Sequence, residues 1–334
     1  MLTPTLTDSP ISERMAEELG RVESRFRAEL YSDLDCVNEL VSYVERYRGK
    51  MLRPTLVIAA GLAAKPDGAV PEPLRIVATV VEMVHMATLV HDDILDEADV
   101  RRRGHTVNHL SGNEVAVMLG DYLISHAYHL CSSLDDASVS RRVAATTNVV
   151  CEGELLQLSN RHNWALDEPT YFDIIRRKTA SLCGLCCHLG ASLSGAEPAV
   201  AAALERYGER VGVAFQIVDD LLDLTGDEAV VGKSLGRDLQ KQKLTLPLIH
   251  HLATADAEQR RSTLALLSDL PEHQPAPRGM LRDLLEGTGS MAYARGHAER
   301  LVTEARDVVL EALPSGPAAE LLAGLAGAIT RRDR

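Results

Sequence analysis

Aromatic residues are scarce in this sequence, at 4% of its 334 positions, and they include a single tryptophan. Leucine, alanine and valine dominate the apolar residues, and few stretches combine β-branched with aromatic side chains. Such combinations are typical of strands, whereas leucine and alanine favour helices. The composition therefore predicts an α-rich chain.

Basic residues are outnumbered, with 35 Lys and Arg against 48 Asp and Glu, and the net charge is −13. Nucleic-acid backbones attract clustered Lys and Arg, so nucleic acid is not an expected partner. Cysteine is also sparse, at six residues, which excludes a secreted disulfide framework. Cys183, Cys186 and Cys187 lie close together, but no second CxxC pair completes a zinc site. We expect these three to pack inside a helix.

The amino terminus lacks a basic start followed by an apolar segment, so the sequence predicts no secretory signal and a cytoplasmic protein. The longest apolar segment, residues 74–90, carries Arg75, Glu82 and His85. These side chains would be costly at the centre of a bilayer. We therefore predict a buried core helix there and no transmembrane segment.

Helix breakers divide the chain into long segments with apolar residues at helical spacing, such as Leu204, Tyr207 and Val211. Residues 1–10 are rich in proline and threonine and are predicted to be a flexible tail. Loops are predicted at 64–73, 162–169, 194–198 and 270–279. No sustained period-two alternation, solenoid repeat or convincing domain linker is visible. The sequence thus predicts one all-α domain spanning 1–334.

Two aspartate clusters repeat the pattern Asp-Asp-x-x-Asp, within "LVHDDILDEAD" (89–99) and "QIVDDLLDLTGD" (216–227). Their members are Asp92, Asp93 and Asp96 in the first, and Asp219, Asp220 and Asp223 in the second. On a helix, the first and last carboxylates of each cluster share one face, about one turn apart. Like charges at this spacing destabilise a helix, and Mg²⁺ with its preference for oxygen ligands would offset the repulsion.

Apolar residues flank both clusters, whereas a solvated acidic face would have polar neighbours, so the carboxylates are predicted to line the rim of a pocket. Clusters on two helices facing each other would hold several Mg²⁺ ions and an anion such as diphosphate. A di-iron carboxylate bundle is the alternative, and Glu82 with His85 supplies one of its Glu-x-x-His motifs. A second such motif is missing from a suitable position.

A diphosphate site also needs cationic side chains. Lys50 and Arg53 lie three residues apart at a predicted helix start, and three arginines at 101–103 follow the first aspartate cluster. The planar guanidinium of arginine suits phosphate oxygens.

Taken together, these motifs closely resemble the trans-prenyltransferase family, the all-trans polyprenyl diphosphate synthases, over nearly the whole chain. The segments that carry the resemblance, in the same order and at matching spacing, are "GKMLRP" (49–54), His85, "DDILD" (92–96), the arginine run, "GNEVAVMLGDYL" (112–123), "EGELLQL" (152–158), "KTASL" (178–182), "QIVDDLLD" (216–223) and "GKSLGRDLQKQKLTLP" (232–247). The resemblance implies an isoprenoid-synthase-type helical bundle around a deep central cavity, usually as a homodimer.

The resemblance also implies roles for individual residues. Mg²⁺ ions, three per active site, would be bound by Asp92, Asp93, Asp96, Asp219 and Asp220, with Asp223 in the outer shell. The allylic diphosphate would be contacted by Arg101, Lys178, Lys233 and Lys243, and isopentenyl diphosphate by Lys50, Arg53, His85 and Arg102. Arg103 stands where many relatives have glycine, so the two arginine roles fall either to Arg101 and Arg102 or to Arg102 and Arg103. The oxygens of Thr179 and Gln216 would lie near the allylic carbocation.

The implied reaction is Mg²⁺-dependent, sequential head-to-tail condensation of isopentenyl diphosphate onto an allylic diphosphate primer. Short-chain relatives place bulky aromatics four or five positions before the first aspartate; here these positions are Thr88 and Ala87, with Val84 one turn earlier. None of the three is aromatic, which predicts a product of about C30 to C50. The alternatives are a geranylgeranyl diphosphate synthase, a class I terpene cyclase and a non-catalytic partner subunit. The isopentenyl diphosphate motif and the two complete aspartate clusters count against the last two.

Overall fold

The computed structural model of the chain describes residues 10–46, 49, 51–66, 68–101, 104–226, 236–268 and 278–331. Three predicted substrate-binding residues, Lys50, Arg102 and Lys233, lie outside the described residues. So do Arg103 and residues 1–9 of the predicted tail.

Helices make up nearly all of the described structure. They are α1 (Pro10–Glu29), α2 (Asp35–Arg46), α3 (Leu52–Ala64), α4 (Glu72–Leu95), α5 (Val107–Ser111), α6 (Asn113–Ser132), α7 (Ala137–Ser159), α8 (Glu168–Ile175), a π-helix (Arg176–Ala180), α9 (Ser181–Leu193), α10 (Pro198–Thr225), α11 (Arg237–Gln240), α12 (Leu246–Thr254), α13 (Ala257–Ser268), α14 (Arg278–Gly287), α15 (Ser290–Ala312) and α16 (Pro317–Thr330). Within the same residues, the strands are a short antiparallel pair, β1 (Val100–Arg101) and β2 (Gly104–His105). The prediction of an all-α fold is confirmed.

Helices α3, α4, α9 and α10 form the centre of the bundle, with α6 against α4 and α15 against α10. Glycines let α9 approach its neighbours closely: a Cβ at Gly190 would lie 2.4 Å from the Val57 carbonyl oxygen of α3. Cys183, Cys186 and Cys187 are fully buried on α9, as predicted. Small side chains at these positions therefore determine how tightly the central helices pack.

Helix α4 is a core helix, as the sequence predicts. Among the described residues, α4 is the one helix long and apolar enough to span a membrane. However, 72% of its apolar window is buried inside the protein. Arg75, near its start, donates from Nε to Oε2 of Glu18 on α1 at 2.6 Å. This ion pair accommodates a charged residue at the edge of the core.

Candidate active site

The first aspartate cluster lies at the carboxyl end of α4. Asp92 and Asp93 belong to its last turn, and Asp96 follows the final helical residue, with its amide donating to the Asp92 carbonyl at 2.8 Å. The spacing of one turn is therefore kept. The carboxyl end of a helix carries partial negative charge, which adds to that of the three carboxylates. Cations are needed here for the cluster to be stable.

Three cations predicted from the sequence, Arg101, Lys178 and Lys243, lie at this cluster. Arg101, on β1, donates from Nε to Oδ1 of the buried Asp93 at 2.8 Å. The Nζ of Lys178 lies 3.5 Å from Oδ2 of Asp92. The hairpin that follows α4 and the π-helix thus each bring one positive charge to the cluster.

Asp96 receives two cations on a single oxygen. Lys243 Nζ lies 2.8 Å and Arg161 Nη2 lies 3.1 Å from its Oδ1. Burial by itself would raise the pKa of Asp96, but the charges of Lys243, Lys178 and Arg161 outweigh it, and the pKa lies below its usual value. Asp96 is therefore held in the ionised form that a metal ligand requires.

Lys178 is surrounded by acceptors. Besides Asp92, its Nζ contacts the Glu154 carboxylate and donates to Oε1 of Gln157 at 3.0 Å. Burial would lower the pKa of Lys178, yet the negative charges of Asp92 and Glu154 raise it above its usual value. The side chain is thus a permanent cation inside the site.

The second cluster lies on the last two turns of α10, where a chain of side-chain hydrogen bonds holds Asp220. Its Oδ2 accepts the Tyr171 hydroxyl at 2.7 Å, and its Oδ1 accepts Nε2 of Gln216 at 2.9 Å. Gln216 Oε1 in turn accepts the Thr179 hydroxyl at 2.9 Å. Burial raises the pKa of Asp220 well above its usual value, and the charge of Asp238 raises it further. Cations in this position would reverse that shift.

Asp223, one turn beyond Asp219 on α10, contacts the backbone at the start of α11. Its backbone carbonyl accepts the Gly236 amide at 3.0 Å, and its Oδ2 accepts the Asp238 amide at 3.4 Å. Asp223 is 4% exposed, so its carboxylate points into the protein.

The π-helix between α8 and α9 connects the two clusters. Its consecutive residues Lys178 and Thr179 reach Asp92 of the first cluster and, through Gln216, Asp220 of the second. Single π-turns inside helices frequently occur at functional sites. The structure therefore brings both predicted clusters, and the predicted Lys178, Thr179 and Gln216, to one place.

The remaining predicted residues lie on α3 and α4. Arg53 is the second residue of α3, whose N-cap Met51 has a left-handed φ of 50°, and the Nε of Arg53 is buried without a hydrogen-bond partner. His85 is half-buried on α4, and its carbonyl accepts the Thr88 hydroxyl at 2.8 Å. The predicted chain-length residues Val84 and Ala87 are fully buried, whereas Thr88 is half-buried.

Several residues of the site had no role in the sequence prediction. Glu154 and Gln157 stand inside the motif "EGELLQL", so the sequence did mark their segment. Tyr171 and Arg161 carry no such signal, because each is a single residue in a segment outside the motifs. Only the packing of α8 on α10, and of the loop after α7 on the end of α4, shows that these two contact the aspartates.

The side chains of the site fit a hard divalent cation. All candidate ligands are carboxylate oxygens, which Mg²⁺ and Ca²⁺ prefer. In the described ranges, no three His, Cys, Asp or Glu side chains are already grouped closely enough to bind a metal ion. Lysine and arginine side chains lie between the carboxylates and balance their charge instead.

Comparison with known proteins gives a consistent result. The family model described as polyprenyl synthetase matches residues 35–281. The octaprenyl diphosphate synthase of Escherichia coli is 34% identical over 97% of this chain and 98% of its own length. Component 2 of the heptaprenyl diphosphate synthase of Geobacillus stearothermophilus is 32% identical, over 96% and 97%.

A solved structure agrees with these relatives. The polyprenyl synthase of Caulobacter crescentus, complexed with calcium and isoprenyl diphosphate, superposes with a TM-score of 0.90 at 28% identity and covers 97% of both chains. The fold, the motifs and these similarities lead to one conclusion: the chain belongs to the polyprenyl synthetase family and is a prenyltransferase.

Proposed function

We propose that this chain condenses isopentenyl diphosphate head to tail onto an allylic diphosphate and releases a long-chain all-trans polyprenyl diphosphate. The observation that carries the proposal is the π-helix, whose Lys178 and Thr179 join the two aspartate clusters into one site. The octaprenyl and heptaprenyl products in the names of the relatives support the long-chain class.

Mg²⁺ would be held by Asp92, Asp93, Asp96, Asp219 and Asp220, with three ions per site. When bound, Mg²⁺ stabilises the negative charge that develops on the leaving diphosphate. The calcium in the Caulobacter structure supports the use of a divalent cation. Asp223 acts from outside that set, because its carboxylate is engaged by the Asp238 amide.

The cations of the site would bind the diphosphate itself. Arg101, Lys178 and Lys243 already lie at the carboxylates, with side chains that end 2.8 to 3.5 Å from them. Metal ions at the aspartates would release these side chains to phosphate oxygens a few ångströms away, where charge-assisted hydrogen bonds are strong. Lys233, outside the described residues, is proposed for the same diphosphate.

Thr179 and Gln216 would stabilise the allylic carbocation. Their oxygens are oriented by hydrogen bonds that end at Asp220, so no reorganisation is needed when the positive charge develops. The apolar walls of the bundle would keep water from the cation.

The second substrate would be bound on the α3 side of the site. Arg53 offers a buried Nε without a protein acceptor, which suits a phosphate oxygen of isopentenyl diphosphate. His85 would lie beside it, with Lys50 and Arg102 from outside the described residues. A cyclase would need no such site.

The growing chain would pass along α4, where Val84, Ala87 and Thr88 are smaller than the aromatic residues of short-chain relatives. This supports a product longer than geranylgeranyl diphosphate, which remains the alternative. A non-catalytic partner role is disfavoured because both aspartate clusters are complete.

We propose a homodimer in the cytoplasm. Ten large hydrophobic side chains are exposed in the described residues, and five of them lie on α5, α6 and α7; these are Leu110, Val117, Met118, Tyr128 and Leu155. Exposed apolar residues on adjacent helices are typical of subunit interfaces. Since one relative is the second component of a synthase, sedimentation of the purified chain would distinguish a homodimer from a subunit that needs a different partner.

The decisive experiment incubates the chain with Mg²⁺, labelled isopentenyl diphosphate and geranyl, farnesyl or geranylgeranyl diphosphate, and sizes the products. Asp92→Ala and Asp219→Ala should each lower turnover by about 100-fold or more, because each removes a metal ligand. Asp307→Ala, an exposed position on α15, is the matched control and should leave turnover unchanged. Near-wild-type turnover of either cluster variant contradicts the metal assignment, and absence of elongation with all primers contradicts the synthase.

A further inference from the structure

Backbone strain is concentrated around Asp96. Four non-glycine residues in the described ranges have positive φ, and three of them are Glu97 at 47°, His162 at 63° and Gln242 at 53°. The left-handed conformation is sterically disfavoured for residues with a Cβ. Glu97 directly follows Asp96, His162 directly follows Arg161, and Gln242 directly precedes Lys243. These neighbours belong to one ionic cluster, in which Arg161 and Lys243 both bind Asp96.

A backbone hydrogen bond joins two of the strained turns. The amide of His162, in the loop after α7, donates to the carbonyl of Gln242, in the loop before α12, at 3.3 Å. The neighbouring residues Arg161 and Lys243 are thereby set side by side, and both donate to Oδ1 of Asp96. The strained turns therefore hold two cationic side chains against one carboxylate oxygen.

Arg161 differs from Lys243 in having a second anchor. Its Nη2 also donates to the carbonyl of Leu95, the last residue of α4, at 3.2 Å. That carbonyl belongs to the helix end, which has no intrahelical donor for it. Arg161 is thus tied to the backbone of α4, whereas Lys243 is bound to the carboxylate and can leave it for a phosphate.

We propose that Arg161 is a positioning residue that orients Asp96 for the metal ions of the diphosphate site. Both cations bind Oδ1 of Asp96 and neither binds Oδ2, so Arg161 can keep its contact while the carboxylate binds a metal ion. Hydrogen bonds to a ligating carboxylate commonly contribute about 10- to 100-fold in metal affinity or activity. The inference rests on the proposed metal role of Asp96.

The test compares Arg161→Gln with Arg142→Gln, an arginine of α7 whose guanidinium pairs with Glu205 at 3.2 Å, away from the clusters. Mn²⁺ binding to each purified chain is measured by electron paramagnetic resonance without substrate. We expect Arg161→Gln to raise the Kd for Mn²⁺ about tenfold or more, and Arg142→Gln to leave it unchanged. In turnover assays, Arg161→Gln should need about tenfold more Mg²⁺ for half-maximal rate and approach the wild-type kcat at saturating Mg²⁺.

Three further variants keep the inference testable if Arg161→Gln fails to fold. Arg161→Lys keeps the positive charge on a shorter side chain and should bind Mn²⁺ with a Kd between those of the wild type and Arg161→Gln. His162→Gly tolerates the left-handed turn and should bind as the wild type, whereas His162→Val should weaken binding as Arg161→Gln does.

The outcomes separate the inference from the proposed function. If the wild-type chain binds no Mn²⁺, the metal assignment fails and the role of Arg161 fails with it. If the wild type binds Mn²⁺ and Arg161→Gln binds it equally or more tightly, only the role of Arg161 is refuted. A loss of thermal stability with unchanged Kd for Mn²⁺ would likewise refute it, since Arg161 would then be structural.

Discussion

At Gly153 the backbone of α7 closely approaches the backbone of the π-helix, and replacing this glycine should disturb catalysis more than folding. A Cβ at this position would lie 2.6 Å from the backbone nitrogen of Lys178 and 2.8 Å from Cβ of Arg177. Neither atom can rotate away, because each is backbone or the first side-chain atom. Restoring a carbon contact of about 3.5 Å requires the π-helix to move by about 1 Å.

The magnitudes follow from that displacement. Overpacking costs about 1 to 3 kcal/mol, and alanine recovers about 1 kcal/mol over glycine within a helix. We therefore expect Gly153→Ala to lose about 0 to 2 kcal/mol of unfolding free energy. Lys178 and Thr179 would move with the π-helix, and a shift of about 1 Å in catalytic groups can lower kcat about 100-fold.

The assay combines thermal unfolding, followed by circular dichroism, with turnover of isopentenyl and farnesyl diphosphate at saturating Mg²⁺. Gly296→Ala, in the middle of α15, is the matched control because a Cβ there meets no atom within 4 Å. This control variant should gain about 0.5 to 1 kcal/mol of unfolding free energy and keep wild-type turnover. A Gly153→Ala protein with the same gain in stability and wild-type turnover would refute the role assigned to this close approach.

Two further predictions concern the product tunnel and a buried histidine. Ala87→Phe should shorten the product, since it adds an aromatic ring at a fully buried position of α4; an unchanged product distribution from a folded variant would show that this face does not line the tunnel. His251 is buried between two threonine hydroxyls, and burial, with the charge of His250, lowers its pKa. Its contribution to stability is therefore complete above its unfolded pKa of about 6.5 and is lost as the pH falls through the folded pKa. Urea unfolding at pH 7.5 and 5.5 should show a smaller stability difference for His251→Gln than for the wild type, and an equal difference would contradict the assignment.

Local sequence patterns were sufficient for much of the fold. The breakers at 64–73, 162–169 and 194–198 correspond to the loops between α3 and α4, α7 and α8, and α9 and α10. The charged residues within the apolar segment of α4 indicated a core helix, and burial confirms it. Helical periodicity and glycine or proline breakers are properties of neighbouring residues, so they are readable without the tertiary structure.

The site was predictable where its residues form motifs. Asp92 and Asp96 keep their one-turn spacing, and the second cluster repeats the pattern on α10. The π-helix was not predictable, because "RRKTASL" has ordinary helical composition, and the close approach of this segment to Gly153 of α7 is a tertiary contact. Nor did any pattern indicate that Lys178 and Thr179 would reach different clusters.

By itself, the sequence determined the helical class, the buried helix α4, the family and the two groups of carboxylates that make an anionic site. Those features depend on composition and on residues a few positions apart. Only the tertiary structure decided which cations meet which carboxylates: Arg161 is 65 residues from Asp96, and Lys243 is 147 residues away, yet both bind the same oxygen. Such pairings depend on how loops are set by helix packing, which no local pattern encodes.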